Sequence, residues 1–181
     1  MSATSTSTAG SRTLPDCSYP FEFIGISMTG ADAYQLDTLI YRFRSTKSLH
    51  EYEVHVERYI EHLCCIKFFD TSSVRSLGRF SQMTDTFEPR TIFRTVADIA
   101  LDALRHDPMA SFCFIGAADR RDTPDGIKTR RYRVYKEFIR RLGLEQQFEL
   151  AFYDEQSLAI LVNRTAVTDI STYAQRLLEF I

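Results

Sequence analysis

The chain has 181 residues, 44% of them hydrophobic and 25% charged. These are the proportions of a globular protein with one core, not of a disordered or fibrous chain. A formal net charge of −2 excludes a protein that coats nucleic acid through charge alone, and no run reaches the ~18 apolar residues of a membrane-spanning helix.

Residues 1–13 read MSATSTSTAGSRT, with eight Ser or Thr and no apolar core segment. Such a stretch cannot bury enough apolar area to offset its ordering entropy. A disordered tail is therefore expected over 1–14, a signal peptide is not, and one domain is expected over 15–181. The first strand is expected at Phe21–Ile26, closed by a loop at Thr29–Asp32, and the second at Leu39–Arg44. EYEVHVERY then alternates, with Tyr52, Val54 and Val56 on one face and Glu51, Glu53, His55 and Glu57 on the other. That is the period of a half-buried antiparallel strand. LCCIKFF at 63–69 is a fourth, more central strand. Residues 70–88 are polar and predict a long loop with a weak strand near Gly78–Met83.

From Pro89 the period changes. Ile92, Phe93, Val96, Ile99, Ala100, Ala103 and Leu104 form a helical stripe. Pro89 suits the first turn, Arg105 and His106 the last, and Asp107-Pro108 a stop. Ala110–Gly116 predicts a strand, and 117–128 a loop marked by Thr-Pro-Asp-Gly. A second helix is expected over about 129–142, with Tyr132, Tyr135, Phe138, Ile139 and Leu142 as its stripe and Gly143 as its C-cap. Phe148–Tyr153 and Leu158–Asn163 predict a hairpin with a four-residue loop. A third helix follows at about 168–181. Strands that run consecutively before any helix point to an α+β fold. The expected architecture is a mainly antiparallel sheet, built from a meander of three to four strands, a helix, a strand, a helix and a hairpin, with helices on one face and a C-terminal helix.

Cys17, Cys64, Cys65 and Cys113 include no C-x-x-C pair and no zinc-finger spacing. They predict buried free thiols of a reducing, cytoplasmic compartment. On a strand, Cys64 and Cys65 point to opposite faces.

Charge is placed unevenly. Residues 120–141 hold nine of the 22 basic residues and three acids, a segment of +6 against −8 for the rest. Lys128, Arg130 and Arg131 fall at the start of the second helix, where the dipole disfavours each cation by ~0.3–1 kcal/mol. A helix start with free N–H groups and arginines is a ready phosphate receptor. The candidate anion- or nucleic-acid-binding residues are therefore Lys128, Thr129, Arg130, Arg131, Tyr132, Arg133 and Lys136. The bland alternative is a solvated helix face, or arginines that pair with the acidic body. Tyr132, Tyr135 and Phe138 could stack on bases, although their spacing is that of a core stripe.

No catalytic residues are nominated. His50, His55, His62 and His106 are scattered, and there is no nucleophile elbow, Walker A loop or GxGxxG. The Glu51–Glu57 face could approach a metal, but its ~7 Å side-chain spacing suits solvent better. Asp98 and Asp102 sit at ion-pairing distance in sequence from Arg94 and His106. No metal or cofactor is expected.

TVADIALDAL with His-Asp-Pro, the strand Phe112–Gly116 and KTRRYRVY, together with FEFIGISMTG, resemble a family of small uncharacterised bacterial α+β domains. The likeness spans about residues 19–153. In that family an Arg-Thr-Arg-x-Tyr-like motif opens a helix, and Lys128-Thr129-Arg130-Arg131-Tyr132 corresponds to it. Asp119–Ile127 looks like an insertion relative to that pattern. The resemblance implies an α+β fold and a bacterial source, and no activity. The functional expectation is a non-enzymatic binding module, of a regulatory or antitoxin-like kind, whose basic segment takes nucleic acid or a phosphate-bearing ligand. Protein contacts would use the sheet edge and the C-terminal helix, and a further reading is a structural subunit whose C-terminal Phe180-Ile181 docks on a partner. The alternative is an enzyme on a nucleotide or RNA phosphate, with Arg130 and Arg131 as clamp and His55 or His106 as acid or base.

Overall fold

A computed structural model describes residues 18–28, 33–71, 88–116, 127–166 and 169–177. The expected tail at 1–14, Cys17, the loop at 29–32, nearly all of the 70–88 loop, the stretch 117–126 with Arg120 and Arg121, and residues 178–181 lie outside the described residues.

The elements are β1 (Phe21–Ser27), β2 (Gln35–Arg44), β3 (Glu51–Tyr59), β4 (Leu63–Asp70), α1 (Pro89–Ala103), β5 (Ser111–Ile115), α2 (Arg130–Arg141), β6 (Phe148–Tyr153), β7 (Leu158–Asn163) and α3 (Ile170–Leu177). They form one seven-stranded sheet in the order β1-β2-β3-β4-β5-β7-β6. β1 to β4 make the expected meander. Leu39, Tyr41 and Phe43 of β2 lie opposite Val56, Val54 and Tyr52 of β3, and all six are buried. β2 starts four residues earlier than its apolar run suggests. Asp37 is held there by Arg58 across the strand pair, with Nε donating at 2.6 Å, so a polar start joins the sheet at little desolvation cost.

The sheet is mainly antiparallel, as expected. β4 and β5 are the exception and pair in parallel, with Cys65 beside Cys113, while every other pairing is antiparallel. α1 lies in the connection between them, so a β-α-β crossover sits inside a mostly antiparallel sheet. One expectation needs correction: the helices do not all lie on one face. α1 and α2 cover Tyr41, Val54, Cys64, Phe112 and Leu161. α3 instead lays Tyr173, Ala174 and Leu177 on Leu63, Cys65, Cys113, Ile160 and Val162. The reason is in the strands. LCCIKFFD, SFCFI and LAILVN are apolar on both faces, and a strand buried on both sides needs a layer on each. Asp169 caps α3, accepting from the Thr172 backbone at 3.1 Å. Outside α3, the second face of β2 and β3 carries charge, with Arg42 on Glu53 at 3.3 Å and Lys67 on Glu57 at 2.7 Å.

The crossover positions the site. β2 and β4 both pair antiparallel to β3, so they run the same way and end together. Ser45, just past β2, donates to Glu88 just ahead of α1 at 2.7 Å. Thr129, just ahead of α2, donates to the Gly116 carbonyl just past β5 at 2.7 Å. Both helices therefore begin at the end where β4 and β5 finish. Gly116 permits this approach. A Cβ there would lie 2.6 Å from both Thr129 Oγ1 and the Tyr132 backbone nitrogen.

Candidate anion-binding groove

The 3.6-residue period of α2 divides the basic segment into stripes that do different things. Lys128 precedes the helix, and Tyr132, Lys136 and Arg140 follow at four-residue steps on the side facing β6. Arg130, Arg133, Val134, Glu137 and Arg141 lie on the side facing the start of α1. Thr129 caps the helix and accepts from the Tyr132 N–H at 3.2 Å. Thr129, one of the candidate anion-binding residues, thus serves the helix itself.

The β6 side is internally satisfied. Tyr132 donates to Asp154 Oδ1 at 2.5 Å, Lys136 to the same oxygen at 2.6 Å, and Lys128 approaches Oδ2 at 3.4 Å. Asp154 opens the β6–β7 turn, so this pairs the basic segment with the acidic body. The Lys136 ammonium, and then the Tyr132 hydroxyl, hold the Asp154 carboxyl well below the usual carboxylate range. Burial, and then Asp154, push the Tyr132 phenol up. Arg140 rests over the Phe152 ring at 5.0 Å. Of the seven sequence-predicted site residues, Lys128, Tyr132 and Lys136 therefore form a node of the fold. Of the two readings of the aromatics, the core stripe holds. Tyr132 is 1% exposed, and Tyr135 packs within aromatic distance of Phe68, Phe93 and Phe114.

The α1 side is different. Arg90, Arg130, Arg133 and Arg141 border an open groove of about 500 Å³ whose apolar wall includes Phe93 and Val134. Among the described residues Glu137 is its one lining carboxylate, and it pairs with Arg141. Arg90 and Arg133 form no ion pair among the described residues. Neither helix has an acidic residue in its first turn, and each carries arginine there. Glu88 does not offset this at α1. Its side chain makes no cap hydrogen bond and is turned into the core, where Ser45 and Tyr19 donate to it. Burial pushes the Glu88 carboxyl up, but hydrogen bonds from Ser48, Tyr19 and Ser45 outweigh it and hold it below its ordinary value. Val134 is 41% exposed beside these cations.

The structure thus keeps Arg130 and Arg133 of the sequence-predicted set at the groove. Arg131, half-buried, lies off its lining. Arg90 and Asp154 escaped the sequence reading. Arg90 carried a usable signal, a cation in the first turn of a helix opened by Pro89. Asp154 carried none beyond its turn position.

The histidines of the enzyme alternative are not brought to the arginines. His106 follows the C-terminal end of α1 and meets Phe23 at 5.2 Å, a helix length of roughly 20 Å from Arg90. His55 faces the other side of the sheet, 2.7 Å from Glu53. Asp102 pairs with Arg105 at 2.8 Å, and Arg94 with Asp98 at 3.1 Å. Among the described residues no three His, Cys, Asp or Glu side chains are grouped to hold a metal. Cys64, Cys65 and Cys113 are buried free thiols, and burial pushes Cys64 up to about 12. Among the described residues no helix is long and apolar enough to cross a membrane. No family model, curated protein or solved structure matches the chain.

Proposed function

We propose that the protein is a non-catalytic binding module that takes a phosphate-bearing ligand in the groove between the starts of α1 and α2. One observation carries the reading. Two helices begin side by side with arginines in their first turns, and among the described residues the open groove between them is lined by four arginines and one carboxylate. Cations at a helix start are unfavourable in the free protein, and an anion held between them reverses that sign. Arginine forks match phosphate oxygens in geometry as well as charge. The shallow, open shape suits an extended ligand better than an enclosed substrate. KTRRYRVY, the segment that carries the resemblance to small bacterial domains, supplies one wall. A regulatory or antitoxin-like role would use such a module without chemistry of its own.

The test is a salt titration of binding with three probes: inorganic phosphate, single-stranded RNA and a polyglutamate control. The expected result is RNA binding at ~50 mM salt whose log K falls against log salt with a slope of about −2 to −3, as three or four arginine contacts would give. Binding of phosphate alone assigns the site to a small ligand, and binding of RNA alone to a polymer. No binding of either, or equal binding of polyglutamate, overturns the reading.

A further inference from the structure

Two parts of the sheet meet at one seam. β1 to β4 form the meander, and β5, β7 and β6 form a second antiparallel unit. Between them β4 and β5 register at three positions, Leu63 with Ser111, Cys64 with Phe112 and Cys65 with Cys113. The last of these sets two free thiols side by side. Register neighbours on adjacent strands lie about 4.8 Å apart, inside the ~4.4–6.8 Å Cα separation over which a disulfide can be built. Both side chains lie in the cluster under α3, and the two thiols hydrogen-bond to each other. Cys64 belongs to the cluster on the opposite face, under α1 and α2.

The cover over the pair is one short helix. α3 lays Tyr173, Ala174 and Leu177 on it. The Tyr173 hydroxyl donates to the Glu61 carbonyl, and Arg176 pairs with the Glu61 carboxylate. A helix of eight residues does not hold itself in water, so α3 depends on its docking. We propose that Cys65 and Cys113 are a redox-active dithiol, which peroxide oxidises to a disulfide across the β4–β5 seam when α3 lifts. The step balances. One thiol, as its thiolate, attacks a peroxide oxygen; the O–O bond breaks, a sulfenic acid forms, and the hydroxide released takes up the thiol proton as water. The second thiol attacks the sulfenic sulfur; the S–S bond forms, and its proton leaves with the hydroxyl as a second water. Two thiols lose two electrons, and one hydrogen peroxide is reduced to two waters. While α3 is docked the step is withheld. The hydrogen bond with Cys65, and then burial, push the Cys113 thiol well above its ordinary value, and the thiolate is the nucleophile. The rate therefore follows local opening of α3, short of global unfolding. Once formed, the bond closes the chain from 65 to 113, a long loop that includes α1, and so stabilises the seam. The groove arginines take no part.

The experiment treats the full chain with hydrogen peroxide well below its melting temperature and maps the cysteines by tandem mass spectrometry without reduction. It compares wild type with Tyr173→Phe plus Arg176→Ala, which cuts the ties of α3 to Glu61. A circular-dichroism melt checks that the variant folds. If it does not, Asp169→Ala, which removes the α3 cap, takes its place. The expected result is one disulfide joining Cys65 to Cys113, reversed by dithiothreitol, with Cys64 still reduced and the oxidised chain unfolding at a higher denaturant midpoint. The loosened variant forms the bond about tenfold faster, the factor that loss of two hydrogen bonds gives an opening equilibrium. A bond that forms only in the unfolded chain, or that joins Cys65 to a different cysteine, overturns the proposal. So do equal rates in wild type and loosened variant, or an unchanged midpoint after oxidation.

Discussion

Asp154 shows how a single carboxylate decides what a run of cations does. It draws Lys128, Tyr132 and Lys136 to the β6 side of α2 and so leaves the other stripe of arginines to the groove. Its pKa is depressed in the fold, which fixes the sign of its pH effect. The stabilisation it contributes is present above the unfolded carboxylate value of ~3.9 and is lost as pH falls through its lower folded value. Because its side chain is 36% exposed, solvent screens part of the effect. We expect Asp154→Asn to melt lower than wild type at pH 7, with the gap narrowing progressively as pH falls below ~4. A constant gap across that range would show that the carboxylate charge is not what the node uses. Gly116 is the second decisive residue. Gly116→Ala drives a methyl group into Thr129 and into the backbone of Tyr132, neither of which is a flexible side-chain end. Overpacking of this kind costs ~1–3 kcal/mol, read as a lower denaturation midpoint; an unchanged midpoint would mean that α2 can shift outward freely.

At the scale of elements, much was legible in the sequence, because one-sided burial writes itself into spacing. β3, β6 and β7 lie where alternation and turn residues put them, and α1 begins at Pro89 as its stripe predicts. The four-residue turn at 154–157 was readable as well, and Gly143 ends α2 as expected, with a φ of +69°, where a glycine is favoured. What spacing could not show was which neighbour each strand takes. The parallel β4–β5 pair and the placing of α3 depend on long-range partners, and an apolar run alone does not say whether one face or both are covered. The site was half legible for a similar reason. The arginines of α2 were visible as a charge anomaly, but Arg90 becomes part of the site only because the crossover sets α1 beside α2. Two outcomes follow for the helices. Val96 is 2% exposed on α1, so Val96→Asp buries an unpaired charge, and loss of the folded circular-dichroism spectrum is expected; a folded, soluble variant would mean that α1 does not face the sheet. Arg90→Glu replaces a first-turn cation by an anion and should raise stability by ~0.5–1 kcal/mol, seen as a higher melting temperature in the absence of ligand. A lower melting temperature would instead show that Arg90 makes an internal contact that holds the fold.

For the whole molecule, a chain with almost no net charge acquires a basic groove because folding sorts its charges. The acidic body neutralises one stripe of α2 through Asp154, the outer face of β2–β4 pairs Arg42 and Lys67 with Glu53 and Glu57, and the arginines at the two helix starts remain gathered at one end. The central claim is that binding belongs to that groove and not to the basic segment as a sum of charges. It is tested most directly by titrating single-stranded RNA into two variants that each remove two cations. Arg90→Ala with Arg133→Ala removes two of the four groove arginines, and Lys128→Ala with Arg140→Ala removes two of the three cations on the β6 side. The account predicts that the groove variant binds more weakly, with a salt slope reduced by about 1.4 for the two lost contacts, while the β6-side variant keeps the affinity and slope of wild type. Equal losses in both variants would contradict it, since they would mean that the ligand senses only net charge and that the groove selects nothing.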